Sequence, residues 1–236
     1  MAFLMLTLIA CTKNGNGNRL LDESNKNQST NSKNQENLNK FSKDKKNYPS
    51  DPVITHYAFL KTSIGKVTIG LYGEDAPETV ANFIGLTKMK YYNGMLIHRI
   101  AKNFLVQMGD SYTRTTADKA LWGTGGETFN GGELLDELDP ETPSYKIGYE
   151  KGVVAMANKG PRTATSQFFI CLEEAKFIKH NWTIFGRVID GLDIVERISQ
   201  AEIEPSKHDI SDGTPIKPIR ILNLRIVLIK APRRIL

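Results

Sequence analysis

Apolar and polar residues alternate along Lys66-Val67-Thr68-Ile69-Gly70-Leu71-Tyr72, which sets Val67, Ile69 and Leu71 on one face of a strand. Residues 57–62 read as its partner, with Ser63-Ile64-Gly65 as a short hairpin connection. The period changes at Asp75-Ala76-Pro77-Glu78, where proline and acids open a helix. Val80, Phe83 and Ile84 supply its apolar stripe, and Tyr91-Tyr92-Asn93-Gly94 turns the chain. Residues 96–100, 104–108, 153–157, 167–172, 183–189 and 219–229 follow as strands, the last dense in β-branched residues. A second helix follows Asp190-Gly191 and carries Leu192, Ile194, Val195 and Ile198. Many strands with two substantial helices predict a mostly-β domain. Antiparallel strands of this length close into a barrel or stack as a sandwich, and alternation alone does not choose between them. No internal repeat is visible.

The first fifty residues follow different rules. Residues 1–11 form an apolar run ending in Leu8-Ile9-Ala10-Cys11. The run is far short of the ~18 apolar residues of a spanning helix, and it fits the core of a secretory signal. Its ending resembles a bacterial lipobox, in which Cys11 takes a lipid and becomes the mature N-terminus. The basic residues that ordinarily precede such a run are missing, so the true start lies upstream or the signal is atypical. The competing reading is a stray apolar N-terminus with a chance cysteine. The small Ala10 and the abrupt polar switch after Cys11 favour the lipobox. The other cysteine, Cys171, sits in an apolar run and reads as a buried thiol.

Residues 12–50 hold ten Asn, and eight Lys/Arg against four Asp/Glu, so +4 of the chain's net +5 lies there. Few apolar side chains are available to offset the entropy of ordering. The expectation is a disordered tether over residues 12–52 with a coil dimension of roughly 35 Å, Pro49 and Pro52 marking the edge of a folded domain over 53–230. Residues 231–236 form a tail without a reading. The basic pI of 9.1 therefore reports the tether, and nucleic acid is not expected as a partner.

Two separated motifs carry the chemistry. The first is Ile97-His98-Arg99-Ile100-Ala101-Lys102-Asn103-Phe104-Leu105-Val106-Gln107-Met108-Gly109-Asp110. The second is Met156-Ala157-Asn158-Lys159-Gly160-Pro161, continued by Ser166-Gln167-Phe168-Phe169-Ile170. Together, over roughly residues 57–229, they resemble the cyclophilin family of peptidyl-prolyl isomerases. The resemblance implies an eight-stranded antiparallel closed barrel capped by two α-helices, with the active groove along its outside. It implies no cofactor and no metal. It makes Arg99 the catalytic donor and Gln107 the residue that holds the substrate backbone and orients the arginine. Asn158 matches the asparagine whose main chain pairs with substrate. Ala157 and Gln167 join that substrate-binding set. Phe104, Leu105 and Phe169 match the floor and wall of a proline pocket, and Leu105 replaces a methionine common in relatives. At the back, Phe177 falls where tryptophan is frequent, Ile178 where leucine is usual, and Trp182 where histidine is common. The lost indole N–H predicts weak binding of cyclosporin-type macrocycles.

These residue types suit the reaction. Rotation about a peptide bond costs ~18–20 kcal/mol because of its resonance. A donor aimed at the prolyl nitrogen withdraws its lone pair, and a ten-thousandfold effect needs about 5.5 kcal/mol of selective stabilisation. Arginine is always charged and rigid, which suits that donor. The bland alternative for Arg99 is a surface arginine paired with an acid.

Other features carry less. Gly123-Thr124-Gly125-Gly126 is not followed by Gly-Lys-Ser/Thr, so it is no nucleotide cradle. Residues 111–122 read as a tolerated surface insertion or a shaper of substrate choice. Residues 133–141 hold five acids and read as a solvated loop rather than a patch for basic partners. His56, His98, His180 and His208 show no metal-ligand spacing. His98 is structural in the family, and His180, out of register with the family histidine, has no role. No Gly-x-Ser-x-Gly elbow appears.

The whole predicts a monomeric isomerase in the bacterial cell envelope, held on the periplasmic or surface side of a membrane by lipid on Cys11. It would act on Xaa-Pro bonds of unfolded or flexible exported proteins. The alternatives are a non-catalytic module that binds proline peptides and a surface interaction lipoprotein on the same scaffold.

Overall fold

Strands β1 (His56–Thr62) and β2 (Lys66–Leu71) form the expected hairpin, with Leu60 opposite Val67 and Ala58 opposite Ile69. The computed structural model describes residues 51–115, 117, 119–175 and 177–229. The expected signal, Cys11, nearly all of the tether and the tail lie outside them. Val67, Ile69 and Leu71 of β2 share the main core as expected, and Thr68 and Gly70 on its other face are buried too. Ile54 lies against Gly70, so the second face is covered as well.

Helix α1 (Pro77–Lys88) begins at the expected proline. Its N-terminus has no local side-chain cap. Instead the Glu137 carboxylate accepts from the Glu78 and Thr79 amides, both at 2.9 Å. An anion there also complements the helix dipole. The acidic stretch 133–141 is thus partly structural, and Asp136 and Glu133 accept from Arg162 in the same region. Phe83 on α1 is fully buried and meets Tyr92, Phe168 and Phe185 with ring centroids 5.2–5.4 Å apart. Burying each such ring is worth about 1.5–3 kcal/mol.

The remaining strands are β3 (Arg99–Ala101), β4 (Leu105–Met108), β5 (Val153–Met156), β6 (Phe168–Cys171), β7 (Ile184–Asp190), β8 (Ile203–Pro205), β9 (Asp212–Pro215) and β10 (Ile221–Leu228). They make one antiparallel ten-stranded sheet in the order β10-β1-β2-β7-β5-β6-β4-β3-β9-β8. The mostly-β cyclophilin-like fold is as expected, and two details are corrected. Among the described residues the strands number ten, not eight, because the β8–β9 pair leaves no readable alternation. The ladder is also open at β10 and β8 rather than closed. The 94–97 segment meets the start of β10 through a single bridge, Leu96 to Arg220, and flanking bonds such as Ile221 N to Met95 O at 2.8 Å. Residues 96–98 were expected as strand. With only that bridge to pair them, the strand begins at Arg99.

Helix α2 (Pro143–Ile147) is short and was not anticipated, whereas α3 (Leu192–Ser199) follows Gly191 as expected. Alternation across β4 and β6 splits the interior in two. Val106, Met108, Phe168 and Ile170 face the main core with α1. Leu105, Phe169 and Cys171 face a second apolar cluster on the other side.

Candidate active site

That second side is where the motifs meet. The β3–β4 hairpin sets Arg99 opposite Gln107, and β4–β6 pairing sets Gln107 opposite Phe169. The turn that ends the first motif holds Gly109 at φ 96°, with the Ser166 carbonyl packed where a Cβ would lie. Only glycine fits there.

A concavity of about 310 Å³ opens on this face. It is lined by Arg99, Phe104, Leu105, Gln107, Ala157, Asn158, Phe169, Phe177, Ile178 and Trp182. All ten belong to the set named from the sequence. Leu105 and Phe169 are buried at its floor, while Phe177 is 77% exposed and leans on Phe104 at a centroid distance of 5.5 Å. Trp182 stands edge-on to Phe169 at 6.3 Å. Its backbone is clamped by Tyr149, whose hydroxyl donates to the Trp182 carbonyl at 2.8 Å and accepts from its amide at 3.0 Å. Asn158 Nδ2 donates to the Asn181 carbonyl at 2.7 Å and joins two rims of the cup.

The structure places Gln167 apart from this cup. It is buried behind Gln107, accepts from Gln107 Nε2 at 2.9 Å and donates to the Gly125 carbonyl at 2.7 Å. It lines an adjoining recess of about 110 Å³ with Gln107, Asn158, Lys159 and the 123–126 loop. Asp110 is buried under that loop and accepts from the Tyr112 amide at 2.8 Å and the Gly125 amide at 3.2 Å. The glycine-rich loop is therefore organised around an internal carboxylate and not around a ligand phosphate.

Arg99 is held from two sides. Its Nε donates to both carboxylate oxygens of Asp212 at 3.0 Å, and Nη2 donates to Oδ2 at 2.6 Å. Nη1 donates to Gln107 Oε1 at 3.0 Å. Gln107 thus holds the end of the guanidinium that Asp212 leaves free. Asp212 was missed. It sits on β9, 113 residues further along the chain, and β9 is too short and glycine-broken to show alternation. Arg99 thus lines the concavity and is paired with an acid at the same time.

His98 is buried, and neither ring nitrogen has a close hydrogen-bond partner among the described residues. Burial lowers its pKa to about 4, with Asp110 and Gln167 opposing in part. A neutral, enclosed imidazole fits the structural role given to it. Cys171 is buried, and its thiol is pushed up to about 12 by that burial. His180 packs edge-on against Tyr145 at 4.0 Å and does not line the cup.

Comparison with known proteins agrees in family. The family described as cyclophilin type peptidyl-prolyl cis-trans isomerase matches residues 57–226. Peptidyl-prolyl cis-trans isomerase ppi1 of Schizosaccharomyces pombe is 38% identical over 163 residues, covering 69% of this chain and 94% of that protein. Human peptidyl-prolyl cis-trans isomerase-like 1 is 38% identical over 159 residues, covering 67% and 89%. A crystal structure of a Cryptosporidium parvum cyclophilin type isomerase, in the presence of the dipeptide Ala-Pro, aligns with TM-score 0.61 at 27% identity, covering 74% of this chain and 99% of that one.

Proposed function

The chain belongs to the cyclophilin-type peptidyl-prolyl cis-trans isomerases, and from that premise we propose that Arg99 and the adjoining cup isomerise Xaa-Pro bonds in unfolded or flexible exported polypeptides. The observation that carries the reading is a guanidinium on the rim of an apolar cup floored by Leu105 and Phe169. The prolyl ring enters the cup and leaves water there. Gln107 and the Asn158 main chain grip the flanking backbone. Arg99, braced by Asp212 and Gln107, donates to the prolyl nitrogen as the bond twists. No bond is made or broken, so no nucleophile or proton shuttle is required. The donor acts only when the nitrogen lone pair is freed from resonance, and the stabilisation therefore falls on the transition state.

The exchange rate of an Ala-Pro peptide, measured by magnetisation transfer with and without the protein, tests this. Arg99→Ala should lower kcat/KM by about 10²–10³ with an unchanged thermal melt. A variant as fast as wild type ends the mechanism. A chain that binds the peptide without accelerating exchange would instead be the non-catalytic module.

The placement in a bacterial envelope rests on the Leu8-Ile9-Ala10-Cys11 pattern and on the Asn- and Lys-rich stretch after it. Lipid on Cys11 and a tether over 12–52 would hold a monomeric domain just off a membrane, where exported chains emerge. Detergent phase partitioning of native protein, with Cys11→Ser as control, decides it. A native chain that stays wholly aqueous removes the anchor.

A further inference from the structure

A second groove, of about 470 Å³, lies between the end of α1 and strand β10 and shares no residue with the proline cup. Its apolar surface comes from Ile84, Leu224, Ile226 and Leu228. Leu228 is 63% exposed, although it continues the strand. The rim carries Lys88, Lys90 and Arg225, all exposed, and no acidic residue lines the groove. Among the described residues, none of these three cations has a carboxylate within ion-pair distance; Arg225 instead stacks on Phe59, 4.0 Å from the ring centroid.

Among the described residues, the outer backbone edge of β10 beyond Leu224 has no partner either. β10 ends the sheet order; its first residue, Ile221, bonds the 94–95 segment, and beyond it the strand pairs, among the described residues, with β1. Ile229 N donates toward β1, to Thr55 O at 3.0 Å, whereas Leu224 N donates the other way, to Asn93 Oδ1 at 3.2 Å. By the alternation of an antiparallel ladder, Ile226 and Leu228 turn their N–H and C=O groups to the open edge above the groove. An open edge with apolar residues exposed is a template for another strand.

We propose that this groove is a docking site for an extended, acidic segment of a partner polypeptide, which adds a strand to β10. Main-chain bonds to Ile226 and Leu228 would supply register. Apolar side chains at alternate positions would meet the floor, and Asp or Glu between them would meet the three cations. The charge of the rim selects the occupant: an alternating apolar–basic segment would fit the same edge and be repelled. The site is independent of the isomerase reading, so either can fail alone.

The test uses the full chain and a labelled seven-residue peptide alternating Val and Glu, with a Val–Lys twin, followed by fluorescence anisotropy. The acidic peptide should bind with an affinity that falls as salt rises, and the basic twin should not bind. The double variant Lys88→Glu/Lys90→Glu should bind the acidic peptide about tenfold more weakly and isomerise proline peptides at the wild-type rate. If that variant melts early, Arg225→Glu replaces it. Hydrogen exchange at the Ile226 and Leu228 amides should slow on binding. Equal binding of the two peptides, indifference to charge reversal in a folded variant, or unchanged exchange at those amides would each overturn the proposal. So would binding to anionic phosphatidylglycerol vesicles with none to the peptide, which would make the patch a lipid contact.

Discussion

Asp212→Ala isolates the orientation of Arg99 from its charge. Three of the four side-chain hydrogen bonds that Arg99 makes go to Asp212, and one goes to Gln107. Without the carboxylate, the guanidinium keeps one anchor and regains much of its rotamer freedom. A long side chain such as arginine loses about 1.5–2 kcal/mol on being fixed. With Gln107 retained, about 1–1.5 kcal/mol must be spent again at each transition state, or about tenfold in kcat. An opposing effect exists, because Asp212 also neutralises part of the field that Arg99 presents to the prolyl nitrogen. The pair is not sealed from water, its side chains being 39% and 19% exposed. At water-like screening even two full charges about 4 Å apart interact by about 1 kcal/mol, and the twisted nitrogen carries only a fraction of a charge. Orientation should therefore win. KM should hold, since the apolar cup is untouched, and the melt should move little because such an ion pair is worth about 0–1 kcal/mol. Asp212→Asn keeps one acceptor and should fall between the two. Line-shape analysis of a proline peptide across the three proteins reads all of this. An Asp212→Ala enzyme within twofold of wild type, or faster, would show that the carboxylate does not position the arginine.

Three further outcomes follow from the packing and the charges. Phe83→Ala should cost about 3–5 kcal/mol in chemical denaturation, because it empties the contact among Tyr92, Phe168 and Phe185; a loss below 1 kcal/mol would mean the core refills. His98 has a folded pKa of about 4 against an ordinary 6.5, so the unfolded chain binds the extra proton between those values. Stability should fall as pH drops through that window, by on the order of 3 kcal/mol, and His98→Gln should flatten the slope of melting temperature against pH. Phe177→Trp restores an indole N–H at the exposed wall of the cup and should tighten cyclosporin-type macrocycles by about tenfold in calorimetry, whereas an unchanged Kd would place their recognition elsewhere.

The parts that could be read along the chain share a physical cause. Strands β1, β2, β4 and β7 alternate or run apolar over four to seven residues, and α1 opens on a proline, so burial and helix initiation leave local marks. β8 and β9 span three and four residues, with Pro205, Gly213 and Pro215 among them, and a period of two cannot be seen over so few positions. They exist because Ile100 pairs with Gly213 and Ile203 with Pro215, which are tertiary facts. The same boundary runs through the site. The ten residues of the cup were found because two contiguous motifs and one loop supply them. Asp212 was not, because nothing near position 212 announces that its carboxylate will meet a guanidinium from β3. Gln167 shows another limit: it lies two residues before Phe169 and ahead of the strand itself, and its amide is taken up by Gln107 and Gly125, so it lines the adjoining recess rather than the cup. The donor proposed for bond rotation needs both kinds of information. The apolar cup is written in short runs, but the brace that aims Arg99 depends on the pairing of β3 with β9, and only the folded chain contains it.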